Sequence, residues 1–325
     1  MRSQLINSTE MNMKRSRSLC AVLTGLCQWI LLVTPAFAHP ASGIVVDDQG
    51  RIYFLFDSLY RIDPSGKLSV VQENAGGHWL ALDANGAFAN VRPKIYKRAT
   101  PDGAIPALIY GDGAPLVIGL DGNLYYGSNG SQEDSFPAGA LTVVRMSPHR
   151  EQSLFTPSLK QTLSNLKDGI TGLASGPDGS ILAATWKGIV KLRKDGSIAK
   201  IMHPLAVKDC DSDPADHNPA NASSPLFRGL GVDTKGNVYV AATSCHRVVR
   251  ITPRGEVTSI LISERPWSAT GVAVSGQDVY VLEYTNANGP RTEGWRARVR
   301  KIAADHTVTT LAPFSTPLSS RPATH

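Results

Sequence analysis

Short runs of apolar or alternating residues, separated by turns rich in glycine, proline and aspartate, extend over most of this chain. The clearest example is 228–261, where four runs of about five residues are separated by turns. Two of these turns, at 233–236 and 252–255, end in glycine. Runs this short and this rich in β-branched and aromatic residues favour strands over helices. The stretch therefore predicts a four-stranded unit, which cannot bury both of its own faces.

This four-stranded unit recurs six times along the chain. Its copies are recognised by the glycine that ends the turn between their first and second strands: Gly50, Gly86, Gly122, Gly179, Gly236 and, with a shorter turn, Gly276. Repeats of four short strands predict a propeller, because radial stacking covers both faces of each blade. The predicted fold is all-β, a six-bladed β-propeller of four-stranded antiparallel blades over 39–311. About 24 strands are expected, with a helix only at 159–166.

The fifth copy carries a recognisable motif. Residues 229–240, Gly-Leu-Gly-Val-Asp-Thr-Lys-Gly-Asn-Val-Tyr-Val, are followed by His246-Arg247-Val248 and then by Arg250-Ile251. This pattern resembles the NHL repeat, and residues 42–311 as a whole resemble exported bacterial NHL and SMP-30/gluconolactonase-like propellers. The resemblance implies the fold but not the function, because propellers include hydrolases, lyases and binding modules.

The same resemblance bears on cofactors. In SMP-30-like enzymes, lactone hydrolysis depends on a metal held by a glutamate at the start of the first blade and by channel Asn and Asp residues. Here Ser42 occupies the glutamate position. The zinc site of amidating-lyase propellers needs several histidines at such positions, and only His78 is present. A calcium or zinc ion is therefore implied by the resemblance alone, and the residues themselves predict no cofactor.

Residues 1–38 stand outside the repeat pattern. Lys14, Arg15 and Arg17 precede an apolar run at 19–33, and small residues follow at 35–38, which is typical of a cleavable secretory signal peptide. The alternative is a membrane anchor, but about 15 apolar residues fall short of the roughly 20 that a spanning helix needs. We expect a secreted or periplasmic monomer with no membrane span after cleavage. The tail 312–325, rich in proline, serine and threonine, is predicted to be disordered.

Removal of the signal segment changes the charge. The formal net charge of +6 falls to +3, because the segment carries four basic residues (Arg2, Lys14, Arg15 and Arg17) and one acid, Glu10. Many remaining cations precede an isoleucine or leucine in the predicted third strands, a solvated structural position. Basic and aromatic residues do not interleave as in single-strand binding. Nucleic acid is therefore excluded as a partner.

Two cysteines remain after the signal segment, Cys210 and Cys245. In an oxidising compartment two such cysteines usually form a disulfide. Metal binding is the alternative, because His217 lies near the first cysteine and His246 adjoins the second. The compartment argument favours the disulfide.

The long insertions of the sequence all fall on one side of the predicted propeller. Turns between strands 1 and 2 and between strands 3 and 4 share one rim, here called the turn rim. The opposite, loop rim carries the strand 2–3 loops and the connections between blades, including the long stretches 129–140, 156–168, 203–227 and 285–295. Because loops on a rigid scaffold carry function, the loop rim is the predicted binding face. Simple tolerance of insertions is the alternative explanation.

The channel mouth on this rim should be lined by two rings of residues. One ring starts the first strands: Ser42, His78, Ala114, Thr171, Arg228 and Thr270. The other ends the second strands: Phe56, Arg92, Ser128, Thr185, Ala242 and Glu283. The predicted ligand-binding residues are Arg92, Arg228, Thr171 and Ser128, with Asp168 and Trp267 just outside the rings. Two arginines facing one cavity suit a carboxylate or another anion.

Glu283 and His78 are the candidate catalytic residues, as a general acid–base pair. In the alternative, these residues have structural roles: Arg92 forms an ion pair with Glu283 or with Asp112, and His78 forms a hydrogen bond with the backbone. Two functional classes follow. The first is an exported propeller that binds a small polar or anionic ligand, or a loop of a protein partner. The second is an SMP-30-like hydrolase or lyase with an altered site.

Overall fold

The structure, a computed structural model, describes residues 41–313 except 74, 76, 84–85, 89–95, 100–106, 112–113, 128–141, 157–168, 211–224 and 286–295. The predicted signal segment and the predicted helix at 159–166 lie outside these residues. Strands dominate the described part, where the one helical element is a short 3-10 turn at Thr243–Cys245. No helix among these residues has both the length and the apolar character needed to cross a membrane.

The strands form six sheets in chain order. Sheet 1 contains β1 (Ile44–Val46), β2 (Ile52–Leu55), β3 (Leu59–Ile62) and β4 (Leu68–Gln72). Sheet 2 contains β5 (Trp79–Asp83), β6 (Tyr96–Ala99) and β7 (Ala107–Gly111). Sheet 3 contains β8 (Leu116–Ile118), β9 (Leu124–Gly127), β10 (Val143–Met146) and β11 (Gln152–Leu154).

The second half of the chain continues the series. Sheet 4 contains β12 (Ile170–Ser175), β13 (Ile181–Thr185), β14 (Ile189–Leu192) and β15 (Ile198–Met202). Sheet 5 contains β16 (Phe227–Val232), β17 (Val238–Ala242), β18 (Arg247–Ile251) and β19 (Val257–Ile262). Sheet 6 contains β20 (Trp267–Ser275), β21 (Asp278–Thr285), β22 (Ala297–Ile302) and β23 (Val308–Pro313), which ends two residues beyond the predicted boundary at 311.

Five of these sheets are four-stranded antiparallel blades with strands in sequential order, and the molecule is a β-propeller. The prediction of six such blades is wrong, because sheet 2 has three strands in the order β5-β7-β6. Its first strand pairs with β7, where a regular blade would pair it with the second strand. Most of the expected second strand lies outside the described residues. Its sequence, Ala-Phe-Ala-Asn-Val-Arg-Pro from Ala87, contains asparagine and proline, which are disfavoured in strands.

An aspartate closes the turn between the first two strands of several sheets. One oxygen of Asp233 accepts hydrogen bonds from the backbone N–H groups of Lys235 and Asn237, at 2.9 and 2.8 Å. The other accepts the hydroxyl of Tyr239 at 3.1 Å, which ties the turn to the second strand. Gly236 adopts a φ of 79°, a conformation that glycine allows without strain. The Asp-x-x-Gly motif of the sequence is therefore a self-contained turn.

The first strands of the six sheets form a closed ring of neighbours, in the order β1, β5, β8, β12, β16, β20 and back to β1. Apolar side chains fill the space between adjacent sheets, so the core is divided among the sheet–sheet interfaces. The ring closes between the two ends of the chain. The hydroxyl of Thr270 donates to the carbonyl of Ala41 at 2.7 Å, and that of Tyr284 donates to the carbonyl of Leu55 at 2.6 Å.

Glycines bring neighbouring first strands into direct backbone contact. A Cβ added at Gly229 would lie 2.7 Å from the Cα of Gly271 and 2.9 Å from the carbonyl oxygen of Thr270. A Cβ added at Gly271 would lie 2.6 Å from the carbonyl oxygen of Ser42. Because these neighbours are backbone atoms, they cannot rotate away from a larger residue.

Gly229→Ala is expected to lower the free energy of unfolding by about 1–3 kcal/mol, because overpacking shifts the backbone of two sheets. Urea denaturation measures the effect. Gly169→Ala is the matched control, since a Cβ at this exposed glycine meets no atom within 4 Å. Equal stability of the two variants would show that the close approach does not constrain the ring.

Candidate functional site

The first strands of sheets 4, 5 and 6 are irregular near their start. A register shift with respect to the second strand occurs at Thr171 in β12, at Arg228 in β16 and at Thr270 in β20. A β-bulge of this kind redirects a side chain and interrupts the ladder. The three residues belong to the predicted ring of first-strand starts. The bulges, which the sequence pattern did not indicate, thus coincide with predicted channel positions.

Backbone contacts order these ring residues. A Cβ added at Gly172, next to Thr171, would lie 2.6 Å from the carbonyl oxygen of Arg228. The N–H of Ser42 donates to the carbonyl oxygen of His78 at 2.8 Å. Together with the contacts of Gly229 and Gly271, these distances make five predicted ring residues successive neighbours: Thr171, Arg228, Thr270, Ser42 and His78.

The exposure of the ring residues differs. Ser42 and Thr270 are buried, whereas Thr171, Arg228 and His78 are partly exposed. The hydroxyl oxygen of Thr171 is itself inaccessible and has no hydrogen-bond partner in the part of the chain that the structure describes. A buried hydroxyl without a partner is costly, so this atom is an unsatisfied polar group at the ring.

Glu283 does not face the channel as the ring alignment implied. Along β21, Val279 and Val281 pack against sheet 5, while Leu282 and Tyr284 pack against sheet 1. Because side chains alternate along a strand, Glu283 shares the face of the two valines. It lies between sheets 5 and 6, near the loop rim, with 0 % of its surface exposed.

The carboxylate of Glu283 is fully engaged in this interface. The hydroxyl of Ser263 donates to one oxygen, and Nε of Arg298 donates to the other at 2.5 Å. A buried carboxylate requires such partners, since an unpaired charge in the interior is strongly destabilising. In the structural alternative Arg92 pairs with Glu283 or with Asp112, and both Arg92 and Asp112 lie outside the described part of the chain. Arg298 is the partner here.

Arg298 joins Glu283 to the surface of the loop rim. Its Nη1 donates to Glu264 at 2.6 Å, and its guanidinium lies 4.2 Å from the ring centre of Trp267, a cation–π distance. Burial lowers the pKa of Arg298, but the hydrogen bonds to Glu264 and Glu283 outweigh it and raise that pKa. The same contact lowers the pKa of Glu264 to about 2. Trp267, predicted as a ligand-binding residue, therefore has one face covered.

His246 is a structural residue of the neighbouring turn. Its Nδ1 lies 2.7 Å from the carbonyl oxygen of Trp267 and 2.8 Å from the hydroxyl of Ser268. A carbonyl oxygen only accepts, so Nδ1 carries the proton. This nitrogen therefore cannot act as a base toward Ser268, and the pair is not a nucleophile–base dyad.

The structure contains the disulfide Cys210–Cys245, with a Cα–Cα distance of 4.8 Å. It joins the connection that precedes sheet 5 to the 3-10 turn after β17. Arg247 supports the same connection, because its Nη2 donates to the carbonyl of Asp209 at 2.7 Å. The alternative of metal binding by these cysteines is excluded by the bond.

Three of the predicted site residues, Arg92, Asp168 and Ser128, lie outside the described residues. Their convergence with Arg228 stays a prediction. Arg298 and Ser263 are the functional candidates that the ring alignment missed. Arg298 could have been found by pairing the second and third strands of the sixth repeat, since it lies directly opposite Glu283.

The ring residues do not fit the divalent metal that the resemblance implied. Calcium needs six to eight oxygen ligands, several of them carboxylates. Ser42 and Thr270 supply hydroxyls, of which that of Thr270 already donates to a carbonyl, and Arg228 adds a positive charge. No three His, Cys, Asp or Glu side chains form a cluster within the described residues.

Comparison with known proteins supports the assignment of the fold but does not identify a function. No family model matches the chain, and no curated protein is similar to it. A protein of unknown function from Bacteroides thetaiotaomicron aligns with a TM-score of 0.51 and 12% identity, over 83% of this chain and 70% of that chain. The likeness is one of fold.

Two solved enzymes show weaker likeness. Virginiamycin B lyase from Staphylococcus aureus aligns with a TM-score of 0.48 and 14% identity, over 89% of this chain and 87% of that chain. A gluconolactonase from Xanthomonas campestris aligns with a TM-score of 0.49 and 14% identity, over 75% of this chain and 83% of that chain. Membership of the NHL or SMP-30 families is therefore not confirmed.

Glu283→Ala is expected to lower the free energy of unfolding by about 3–5 kcal/mol, because Arg298 loses its buried charge partner and keeps only the more exposed Glu264. Adding Arg298→Met should recover part of the loss, since it removes a buried charge that is then only partly compensated. Chemical denaturation of the single and double variants measures both effects, with Glu256→Ala as the exposed control. If Glu283→Ala proves as stable as the control, the buried pair does not stabilise the fold.

Replacing both Cys210 and Cys245 by serine should destabilise the fold by about 3–4 kcal/mol, because the bond closes a loop of 35 residues. Thermal unfolding of the double variant measures the loss. Thiol titration of the denatured, unreduced protein provides the control. Two titratable thiols would contradict the bond.

Proposed function

We propose that this protein is an exported propeller that binds a small polar molecule, anionic in character, at the loop-rim mouth of its channel. The neighbouring bulges at Thr171 and Arg228 carry this proposal. They present a guanidinium and an unsatisfied hydroxyl at successive positions of the first-strand ring.

The chemistry of these two residues favours an anion. A guanidinium binds carboxylate or phosphate oxygens through two parallel hydrogen bonds. The Thr171 hydroxyl can donate to the same group and so satisfy its own hydrogen-bonding requirement. Arg228 is partly exposed, whereas the Thr171 hydroxyl is inaccessible, so the proposal requires a small local rearrangement at Thr171 on binding.

The hydrolase or lyase with an altered site is the second candidate, and the geometry favours it less. Its acid–base pair requires a Glu283 carboxylate that can exchange a proton with substrate. That carboxylate is buried between sheets and bonded to Arg298 and Ser263. His78 keeps its position in the ring, whereas the Glu283 carboxylate is buried among other partners.

Export belongs to the proposal. It is supported by the signal-like pattern of residues 1–38 and by the Cys210–Cys245 bond, since disulfides persist in oxidising compartments. In the other form of this binding function, the channel mouth binds a loop of a protein partner instead of a small molecule.

Thermal unfolding in the presence of gluconate, citrate, phosphate or uncharged glucose tests the proposal. At least one anion of this panel should raise the melting temperature more than glucose does. Arg228→Ala should abolish that shift while leaving the melting temperature of the unliganded protein within a few degrees, because the side chain is partly exposed.

Arg254→Ala, an exposed arginine on the turn rim, is the matched control and should keep the shift. If Arg228→Ala keeps the full shift, the anion binds elsewhere. If Arg228→Ala alone unfolds the protein, the arginine is a structural channel residue. Hydrolysis of gluconolactone by the unaltered protein, lost in Arg228→Ala, would favour the enzymatic alternative.

A further inference from the structure

A cavity of about 860 Å³ lies on the turn rim, in the groove between sheets 4 and 5. It is bordered by the turns at 176–180, 193–197, 232–237 and 252–253. The sequence alone does not indicate it, because its lining comes from separate turns that each look regular. Its volume lies within the range of small-molecule sites, roughly 300–1,000 Å³.

The floor of this groove is apolar. Leu182, Val238 and Ile251 are buried at its base, where sheets 4 and 5 share one hydrophobic cluster. Met202 and Val232 are partly buried and pack on the same cluster. The groove therefore offers apolar surface to a ligand without unfolding of the interface.

The border of the groove is basic. Five cations line it, Lys191, Arg193, Lys194, Lys200 and Lys235, against two carboxylates, Asp178 and Asp195, which leaves a net charge of +3. One of the five is neutralised, because Nζ of Lys191 lies 2.7 Å from Asp178 and lowers the pKa of that carboxyl.

The other carboxylate, Asp195, interacts electrostatically with Arg193 and lies within its own turn. Asp195 accepts hydrogen bonds from the N–H and the hydroxyl of Ser197 and so closes its own turn. Arg193 and Lys200 donate to the uncharged carbonyls of Ile198 and Pro253. Lys194 and Lys235 are exposed and form no ion pair with any residue that the structure describes.

We propose that this groove binds amphipathic anions, that is, molecules with an apolar chain or ring system and a terminal carboxylate. The apolar body would cover the floor formed with Val238, and the carboxylate would lie between Lys194 and Lys235. This second site is on the rim opposite the channel mouth and does not depend on the function proposed there.

Isothermal titration calorimetry with dodecanoate tests the inference on the protein without residues 1–38. Dodecanoate should bind, whereas acetate, which has only the charge, and dodecyltrimethylammonium, which has the opposite charge, should bind at least about tenfold more weakly. Added salt should weaken the binding of dodecanoate, because exposed charges are screened.

Two variants locate the site by independent means. Lys194→Glu combined with Lys235→Glu reverses the free charges, and Ala199→Trp fills the groove without any change of charge. Each should raise the dissociation constant of dodecanoate at least about tenfold. Lys67→Glu, an exposed lysine on the turn rim of sheet 1, is the matched control and should change it less than about twofold.

Several results would overturn the inference. They are absence of dodecanoate binding at millimolar concentration, unchanged binding in both groove variants, or equal binding of the cationic amphiphile. Melting temperatures of all variants, measured alongside, identify any loss of binding that arises from unfolding. Because Arg228 is intact throughout, failure of this site leaves the channel-mouth proposal untouched.

Discussion

Direct contact between the backbones of neighbouring first strands is the constraint on which the ring depends. At Gly229 and Gly271 the next sheet approaches so closely that no Cβ fits. Such contact fixes the distance and rotation of each sheet with respect to the next, and the apolar faces behind it are then buried between sheets. The same contact determines which residues become neighbours at the channel mouth. Arg228 and Thr171 are adjacent for this reason, although 57 positions separate them in the sequence.

Polar groups on the two rims find their hydrogen-bond partners differently. On the turn rim, aspartates such as Asp233 satisfy the backbone of their own turn, so each turn is complete by itself. On the loop rim, polar groups depend on partners from other strands, as Glu283 depends on Arg298 and Ser263. Arg298 lies on the next strand of the same sheet, whereas Ser263, directly after β19, links Glu283 to sheet 5. They also remove from reactivity a carboxylate that would otherwise be a candidate general acid.

Most of the fold could be predicted from the sequence, because strand length, turn glycines and Asp-x-x-Gly motifs are local signals. The strand order of sheet 2 could not be predicted, since it depends on the pairing of β5 with β7, which no local sequence signal indicates. The interface that the Glu283 side chain enters could not be predicted for a different reason. Alignment on the turn glycine locates a residue along a strand, but the strand's alternation decides which interface the side chain enters. The bulges at Thr171 and Arg228 could not be predicted from the sequence either, because they arise from the pairing of two strands.

The seam between the two ends of the chain has a wider consequence. Sheets 1 and 6 are each built from consecutive strands, and they meet through side-chain hydrogen bonds and a shared apolar cluster; within residues 41–313 as described, no strand of one is inserted into the other. The seam is thus an interface of the same kind as those between other sheets. A circularly permuted chain, opened between sheets 3 and 4 and joined at the present termini, would retain every strand within its own sheet.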